Sequence, residues 1–233
     1  MDINKEPLLL LPGLLCNKTA WAPQVSYFSN ERDVIVADYG EANTLKAMAQ
    51  KALDQAPEKF ALAGHSMGAR VALELIQLAP ECVTRIALLD TGVHPLQPGE
   101  TEKRYGLRDV GKSKGMNKLV DLWLPPMVHP DQKSNETLMK PLRDMAISFG
   151  VEGFSRQIEA LITRRDATPL LKEVSCPVLV AVGEQDAWSP PSQHEAIVAE
   201  IPQAVYQVFP NTGHMAPVES PILVNKALAD WLK

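Results

Sequence analysis

Six short, mainly apolar runs punctuate the chain: Pro7 to Leu11, Val34 to Ala37, Phe60 to Ala63, Arg85 to Leu89, Pro177 to Val182 and Val205 to Phe209. Runs such as Pro7 to Leu11 do not alternate with polar residues, which is the pattern of strands buried on both faces of a parallel sheet. Between the early runs the apolar period lengthens to that of a helix. Trp21, Val25 and Phe28 mark a first helix, and Leu45, Met48, Ala49, Ala52 and Leu53 mark a second that Asn43 or Thr44 is placed to cap. Val71, Ala72, Leu75 and Leu78 follow the third run at the same spacing. Strand and helix in alternation predict right-handed crossovers and a mostly parallel, doubly wound α/β sheet. The last helix is expected to open with Ser220 as N-cap and Pro221 at its first position, and to bury Leu223, Ala227, Leu228 and Trp231.

From about His94 to Asp166 the pattern is helical only. Met116, Leu119, Val120 and Trp123 give one apolar stripe, Leu138, Leu142, Met145 and Phe149 a second, and Phe154, Ile158, Leu161 and Ile162 a third. Pro125-Pro126 and His129-Pro130 separate the first from the second. Some seventy residues without a strand, set into a strand-helix alternation, predict a helical cap over the strand ends that shapes a substrate cavity. The expected division is a core of residues 1–94 and 166–233 with a cap insertion at 95–165. No internal repeat interrupts it.

Composition narrows the classes. With 233 residues, 45% hydrophobic and 22% charged, the chain reads as one globular domain carrying an insertion. A net charge of -5 gives no general attraction for nucleic acid or an anionic membrane. No run approaches a membrane span, the opening residues lack a basic start, and Pro12-Gly13 interrupt the apolar stretch from Leu8 to Leu15, so no signal peptide is expected and the cytoplasm is the default. Cys16, Cys82 and Cys176 are odd in number and widely spaced, which reads as free thiols, and the histidines show no ligand spacing. No metal or cofactor is expected. One segment departs from the acidic balance: residues 99–118 hold Lys103, Arg104, Arg108, Lys112, Lys114 and Lys118 against Glu100, Glu102 and Asp109. This is a solvated helical face in the plain reading, and an attraction for an acidic substrate or carrier protein in the other.

The chemistry is expected where the third strand meets the third helix, at Gly64-His65-Ser66-Met67-Gly68. Gly-x-Ser-x-Gly at a strand-to-helix turn is a nucleophile elbow: the serine is held in a strained conformation with its hydroxyl exposed, and the flanking glycines avoid collisions. Asp186 and His214 also follow strand ends, in the chain order Ser, Asp, His. A serine hydroxyl needs an imidazole to take its proton, and the imidazole needs an anion to fix its tautomer. Asp90, at another strand end, is the alternative acid, and Asp38 is read as structural. The Met67 and Leu14 amides are the candidate oxyanion donors, Leu14 lying just past Pro12-Gly13. His65 is expected to point away from the nucleophile, and His94 and His129 to be polar cap residues. Leu15, Trp123, Met145 and Phe149 are candidates for an acyl pocket, although stripes at helical spacing also serve as plain core.

On Pro12-Gly13-Leu14-Leu15, Gly64-His65-Ser66-Met67-Gly68, Gly183-Glu184-Gln185-Asp186 and Gly213-His214, the chain resembles the α/β-hydrolase superfamily over nearly its whole length. It resembles the small bacterial branch that includes carboxylesterases, the pimeloyl-carrier-protein methyl esterase and 3-oxoadipate enol-lactonase. The resemblance implies an eight-stranded core in the full fold, reduced here to six because the chain starts too late for the usual first hairpin. Two places depart from the family pattern: the loop that usually reads His-Gly reads Pro12-Gly13, and the usual Asp-x-x-Gly-x-Gly reads Asp38-Tyr39-Gly40-Glu41. The expected activity is hydrolysis of a small ester, thioester or lactone. The same side chains also serve carbon-carbon bond hydrolysis or lyase chemistry. A binding protein with little turnover would be marked by a spoiled residue, and none is present.

Overall fold

The computed structural model describes residues 5–233, so the first four residues, on which part of the signal-peptide reading rests, lie outside it. Strands β1 (Leu8–Leu11), β2 (Val34–Val36), β3 (Phe60–His65), β4 (Val83–Leu89), β5 (Val178–Gly183) and β6 (Val205–Phe209) form one sheet in the order β2-β1-β3-β4-β5-β6. Every neighbouring pair is parallel. The chain therefore leaves β1 toward one edge and returns past it to build the other, and strand order reverses between β1 and β3. Ligands of such sheets sit beyond the carboxyl ends of the strands near that reversal.

Burial explains the unalternating sequence. In β1, Leu8 and Leu10 join one core while Leu9 and Leu11 join the other, and β3 to β5 divide in the same way. On the first face the sheet offers small side chains, Ala61, Ala63, Ala87 and Ala181. Helices α1 (Ala22–Phe28) and, at the end of the chain, Pro221–Trp231 fill the space with Phe28, Val224, Leu228 and Trp231. The opposite face is covered by α2 (Leu45–Leu53) and α3 (Met67–Leu78). Each fully buried leucine or isoleucine here contributes roughly 1.5–3 kcal/mol of transfer free energy. Thr44 caps α2, its hydroxyl accepting the Ala47 amide at 3.1 Å.

No strand interrupts residues 90–177 among the described residues. Helix α4 (Glu100–Trp123) breaks at Gly115, whose φ of 84° ends one helix and starts another. The stripe expected from Met116 onward thus coincides with the second half, and the charged run, apart from Lys118, with the first. Two 3-10 turns at Pro125–Met127 and Pro130–Gln132, α5 (Glu136–Ser148), α6 (Gly150–Ile162) and the single turn α7 (Thr168–Leu171) lead back to β5. Helix α8 (Pro191–Glu200) connects β5 to β6, and α9 (Ala216–Glu219) precedes α10 (Pro221–Trp231).

The last helix differs from expectation in two respects. Ser220 stands at the N-cap position, but its hydroxyl bonds the Thr212 hydroxyl instead of a helix amide. The buried stripe runs through Val224, Leu228 and Trp231, and Leu223 is 38% exposed. A residue one position further round the helix meets the sheet. No helix among the described residues is long and apolar enough to cross a membrane.

Candidate active site

The tight end of β3 builds the site. Ser66, between β3 and α3, has φ 56° and ψ -118°, a backbone conformation that costs a non-glycine residue about 1–3 kcal/mol and persists only where its surroundings enforce it. Enforcement comes from close packing: a Cβ on Gly64 would stand 2.4 Å from the Gly68 carbonyl oxygen, and one on Gly68 would stand 2.1 Å from that of Leu11. Polar ties complete it. The Ser66 amide donates to Leu89 O at 2.9 Å, and the Thr91 hydroxyl donates to Ser66 O at 3.0 Å. Thr91 is itself fixed by its amide, which donates to Nε2 of the fully buried His194 at 2.8 Å.

His214 stands against the serine. Its Nε2 lies 2.8 Å from Ser66 Oγ and its Nδ1 lies 2.8 Å from Asp186 Oδ2. With Nδ1–H donated to the carboxylate, Nε2 is left to accept the hydroxyl proton. The second Asp186 oxygen accepts the amides of Trp188 and Ser189, both at 2.8 Å. Burial would raise this carboxyl, but the His214 interaction and the two amides outweigh it and hold Asp186 below the ordinary carboxylate value. Asp90 does not reach His214 by a hydrogen bond. It accepts the Gly183 amide at 2.9 Å through one oxygen, while the other makes no hydrogen bond among the described residues and stands 3.8 Å from His65 Nε2. Burial, with the Asp186 charge adding to it, pushes Asp90 well above the usual carboxylate range.

Two polar residues without a role in the sequence reading hold the His214 backbone. His65, inside the Gly-x-Ser-x-Gly segment, turns behind the serine and places Nε2 2.7 Å from the His214 carbonyl oxygen, to which it donates. Burial is the main reason its pKa falls to about 3, so the ring stays neutral. Glu219 accepts the amides of Met215 at 2.9 Å, His129 at 2.7 Å and Gly213 at 3.2 Å. One carboxylate thus joins both flanks of His214 to the segment between the two 3-10 turns. His129 sits there as a polar residue, its own ring accepting the Asp131 amide at 3.2 Å.

The loop after β1 is tied from both sides. Tyr39 donates its hydroxyl to Pro12 O at 3.0 Å, and the Leu15 amide donates to Gln157 Oε1 of α6 at 2.7 Å. Gly13 lies against the serine, since a Cβ there would stand 3.2 Å from Ser66 Cβ. Between the two ties, the Leu14 amide makes no hydrogen bond among the described residues. Met67 opens α3, so its amide has no partner within the helix.

A cavity of about 340 Å³ opens onto these groups, with Ser66, His214, Leu14 and Met67 in its wall. Trp123 lines it, together with Met127, Phe154 and Leu161. The other three pocket candidates lie outside the lining: Leu15 is fully buried, its φ of 55° turning it into the core, Met145 packs its sulfur over the Asn17 amide, and Phe149 packs beside Gly153. A stripe shows which side of a helix is covered, but here the covering partner is another helix. Cys16, Arg70, Arg104 and Arg164 also border the cavity. The Cys16 thiol is pushed up to about 12 by burial and so stays protonated.

The arrangement allows a hydroxyl to be deprotonated by an imidazole whose charge is balanced by a buried carboxylate, beside two backbone amides free to bind an anion. Known proteins are similar to this chain in sequence and in fold. The (E)-2-((N-methylformamido)methylene)succinate hydrolase of Acinetobacter baylyi is 27% identical over 243 residues, covering 98% of this chain and 90% of its own length. A thermophilic esterase from Thermogutta terrifontis superposes with a TM-score of 0.87 at 28% identity, over 97% of this chain and 89% of that one. The enol-lactonase from Burkholderia xenovorans LB400 has the same fold, with a TM-score of 0.88 at 22% identity over 98% of this chain and 92% of that one. The model of the alpha/beta hydrolase family matches residues 8–227, from the first strand into the last helix, and the chain belongs to that family.

Proposed function

We propose that the protein is a serine hydrolase that cleaves a small carboxylic ester, or a related thioester or lactone, through an acyl-enzyme on Ser66. The observation that carries this reading is the unbroken row from Ser66 Oγ through His214 to Asp186, with both links at 2.8 Å and the serine on a strained turn. His214 Nε2 takes the hydroxyl proton as Oγ attacks the carbonyl carbon, and Asp186 balances the imidazolium. The Met67 and Leu14 amides receive the oxyanion, each such donor being worth about 2.7–4 kcal/mol in the transition state. The imidazolium then protonates the leaving alkoxide, and a water deprotonated by the same nitrogen releases the acid. Neutral His65 has no proton to offer the oxyanion across the turn, its Nε2–H being committed to the His214 backbone. An esterase among the structural neighbours supports the ester assignment.

The test is a panel of p-nitrophenyl esters with the protein and its Ser66→Ala variant, together with labelling by a fluorophosphonate read by intact mass. Turnover and a single adduct are expected in the parent protein and neither in the variant. Equal hydrolysis by both proteins would sink the mechanism.

A further inference from the structure

The cavity wall that faces the apolar helices holds more positive charge than the reaction above needs. Arg70 lies four residues after Ser66 on α3, a rise of about 6 Å, and long helical side chains lean toward the N-terminus, so its guanidinium returns toward the serine end. It is 7% exposed. Its Nη2 donates to His94 O at 3.0 Å, while Nη1 has no hydrogen-bond partner among the described residues. Arg104 donates Nε and Nη2 to Glu100 Oε1 at 2.9 and 2.7 Å, and its Nη1 has no hydrogen bond among the described residues. Glu100 cannot serve Arg70 as well, because Arg164 takes both its oxygens at 2.8 and 2.6 Å. Arg164 is a strut, donating also to Leu161 O at 2.8 Å. The exposed Lys103 borders the same cavity. Among the described residues Glu100 is the one carboxylate hydrogen-bonded to any of these four cations, and Asp166 adds its charge to Arg70 without a hydrogen bond.

A buried guanidinium with a spare N–H and no carboxylate in hydrogen-bond contact is costly, and an anion that enters the cavity it borders relieves it. Burial, with the Arg164 charge adding to it, lowers the Arg70 pKa to about 9, which leaves it charged at neutral pH. His94 is held below its ordinary value mainly by burial and then by Arg70, so it does not compete for an anion as a cation. We propose that Arg70 and Arg104 form a carboxylate subsite in the Ser66 cavity, so that the substrate is an ester or lactone of a short acid carrying a second, free carboxylate. The proposal rests on the acyl-enzyme reading for the reacting end and adds the identity of the other end. Guanidinium forks match a planar carboxylate, and Trp123, Met127, Phe154 and Leu161 offer the apolar wall for the carbons between the two ends. The free carboxylate is a spectator: the acyl C–O bond breaks, water supplies hydroxide to the acyl carbon and a proton to the alcohol.

The experiment compares the monoethyl esters of succinate, glutarate and adipate with the neutral ethyl esters of butyrate, valerate and hexanoate by pH-stat. The parent protein is expected to favour at least one charged ester over its neutral counterpart by about tenfold or more in kcat/KM, the scale of one charge-assisted hydrogen bond. That ratio is expected to collapse toward one in Arg70→Gln and in Arg104→Gln, and to recover only partly in Arg70→Lys, which keeps the charge but loses the fork. Thermal melts identify any variant that fails to fold, and the remaining two then carry the comparison. A second arm measures binding of succinate and of inorganic phosphate to Ser66→Ala by calorimetry, with and without Arg70→Gln. Neutral esters turned over with no preference for charge would overturn the subsite while leaving the esterase reading intact. Arg70-dependent succinate binding without any ester turnover would do the reverse. Phosphate binding tighter than succinate would overturn the carboxylate assignment.

Discussion

His194 makes the most quantitative demand. Its ring is fully buried on α8, with Nδ1 3.2 Å from Pro190 O and Nε2 accepting the Thr91 amide at 2.8 Å. A carbonyl on one side and an N–H on the other fix the neutral tautomer with its proton on Nδ1. Protonation would set Nε2–H against the Thr91 N–H, and burial, the dominant cause, lowers the pKa from 6.5 to about 4. A histidine with a depressed folded pKa costs stability as pH falls, because the unfolded chain binds a proton near 6.5 that the native protein refuses until near 4. At pH 7 the effect is close to zero. At pH 5 it reaches about 2 kcal/mol, using about 1.36 kcal/mol per unit over the 1.5 units below 6.5. Glutamine at 194 can accept from Thr91 and donate to Pro190 without titrating. Urea unfolding of the parent and His194→Gln at pH 7 and pH 5 cancels every other titrating group in the difference. The parent is expected to lose about 2 kcal/mol more than the variant over that interval. Parallel losses would show that His194 is already protonated in the native state and refute the tautomer assignment.

Two further outcomes test the proposed site. Asp186→Asn is expected to lower kcat by about four orders of magnitude by presenting the wrong hydrogen to Nδ1, whereas Asp90→Asn, which removes no His214 partner, is expected to cost less than tenfold; the reverse order in ester hydrolysis would transfer the acid role to Asp90. Glu219→Gln leaves three amides competing for a single carbonyl oxygen, so a stability loss of roughly 1–3 kcal/mol by urea unfolding is expected together with a fall in kcat larger than any rise in KM.

The fold was largely legible because its signals are local. A strand buried on both faces reads as an unbroken apolar run wherever it lies, and the runs around Leu8, Phe60 and Val178 each become strands between two helical layers. Ser66, Asp186 and His214 were nameable because each follows a strand end, and parallel strands bring their ends together whatever their separation in sequence. The pocket was not legible. Trp123, Met145 and Phe149 sit on equivalent apolar stripes, yet of these only Trp123 borders the cavity, since the stripe is blind to which neighbour covers it. The arginines divide likewise: Arg104 stood out in a charged run, while Arg70 and Arg164 carried no signal of their own, and only the fold brings Arg164 onto Glu100 and Arg70 onto His94 O beside them.

The residues that sequence left without a role share a physical cause. Loops beyond strand ends carry amides and carbonyls that the sheet cannot pair, and in a buried site each must find a partner. Tyr39 serves Pro12, Gln157 serves Leu15, His65 serves His214, His194 serves Thr91, and Glu219 serves three amides around His214. Several of these partners are more than a hundred positions away in sequence, so no spacing announces them. Apolar residues would fill the same volume but leave the backbone groups unpaired, at about 1–3 kcal/mol each. The pairing also sets position: Gln157 reaches the loop beside Leu14 from α6, a helix whose Phe154 and Leu161 line the cavity. A ligand that displaces α6 therefore acts on the proposed oxyanion loop through one hydrogen bond. Substrate fit against α6 and donor geometry at Leu14 are expected to be coupled through that bond, so that Gln157→Leu is expected to lower kcat more than it raises KM in ester hydrolysis.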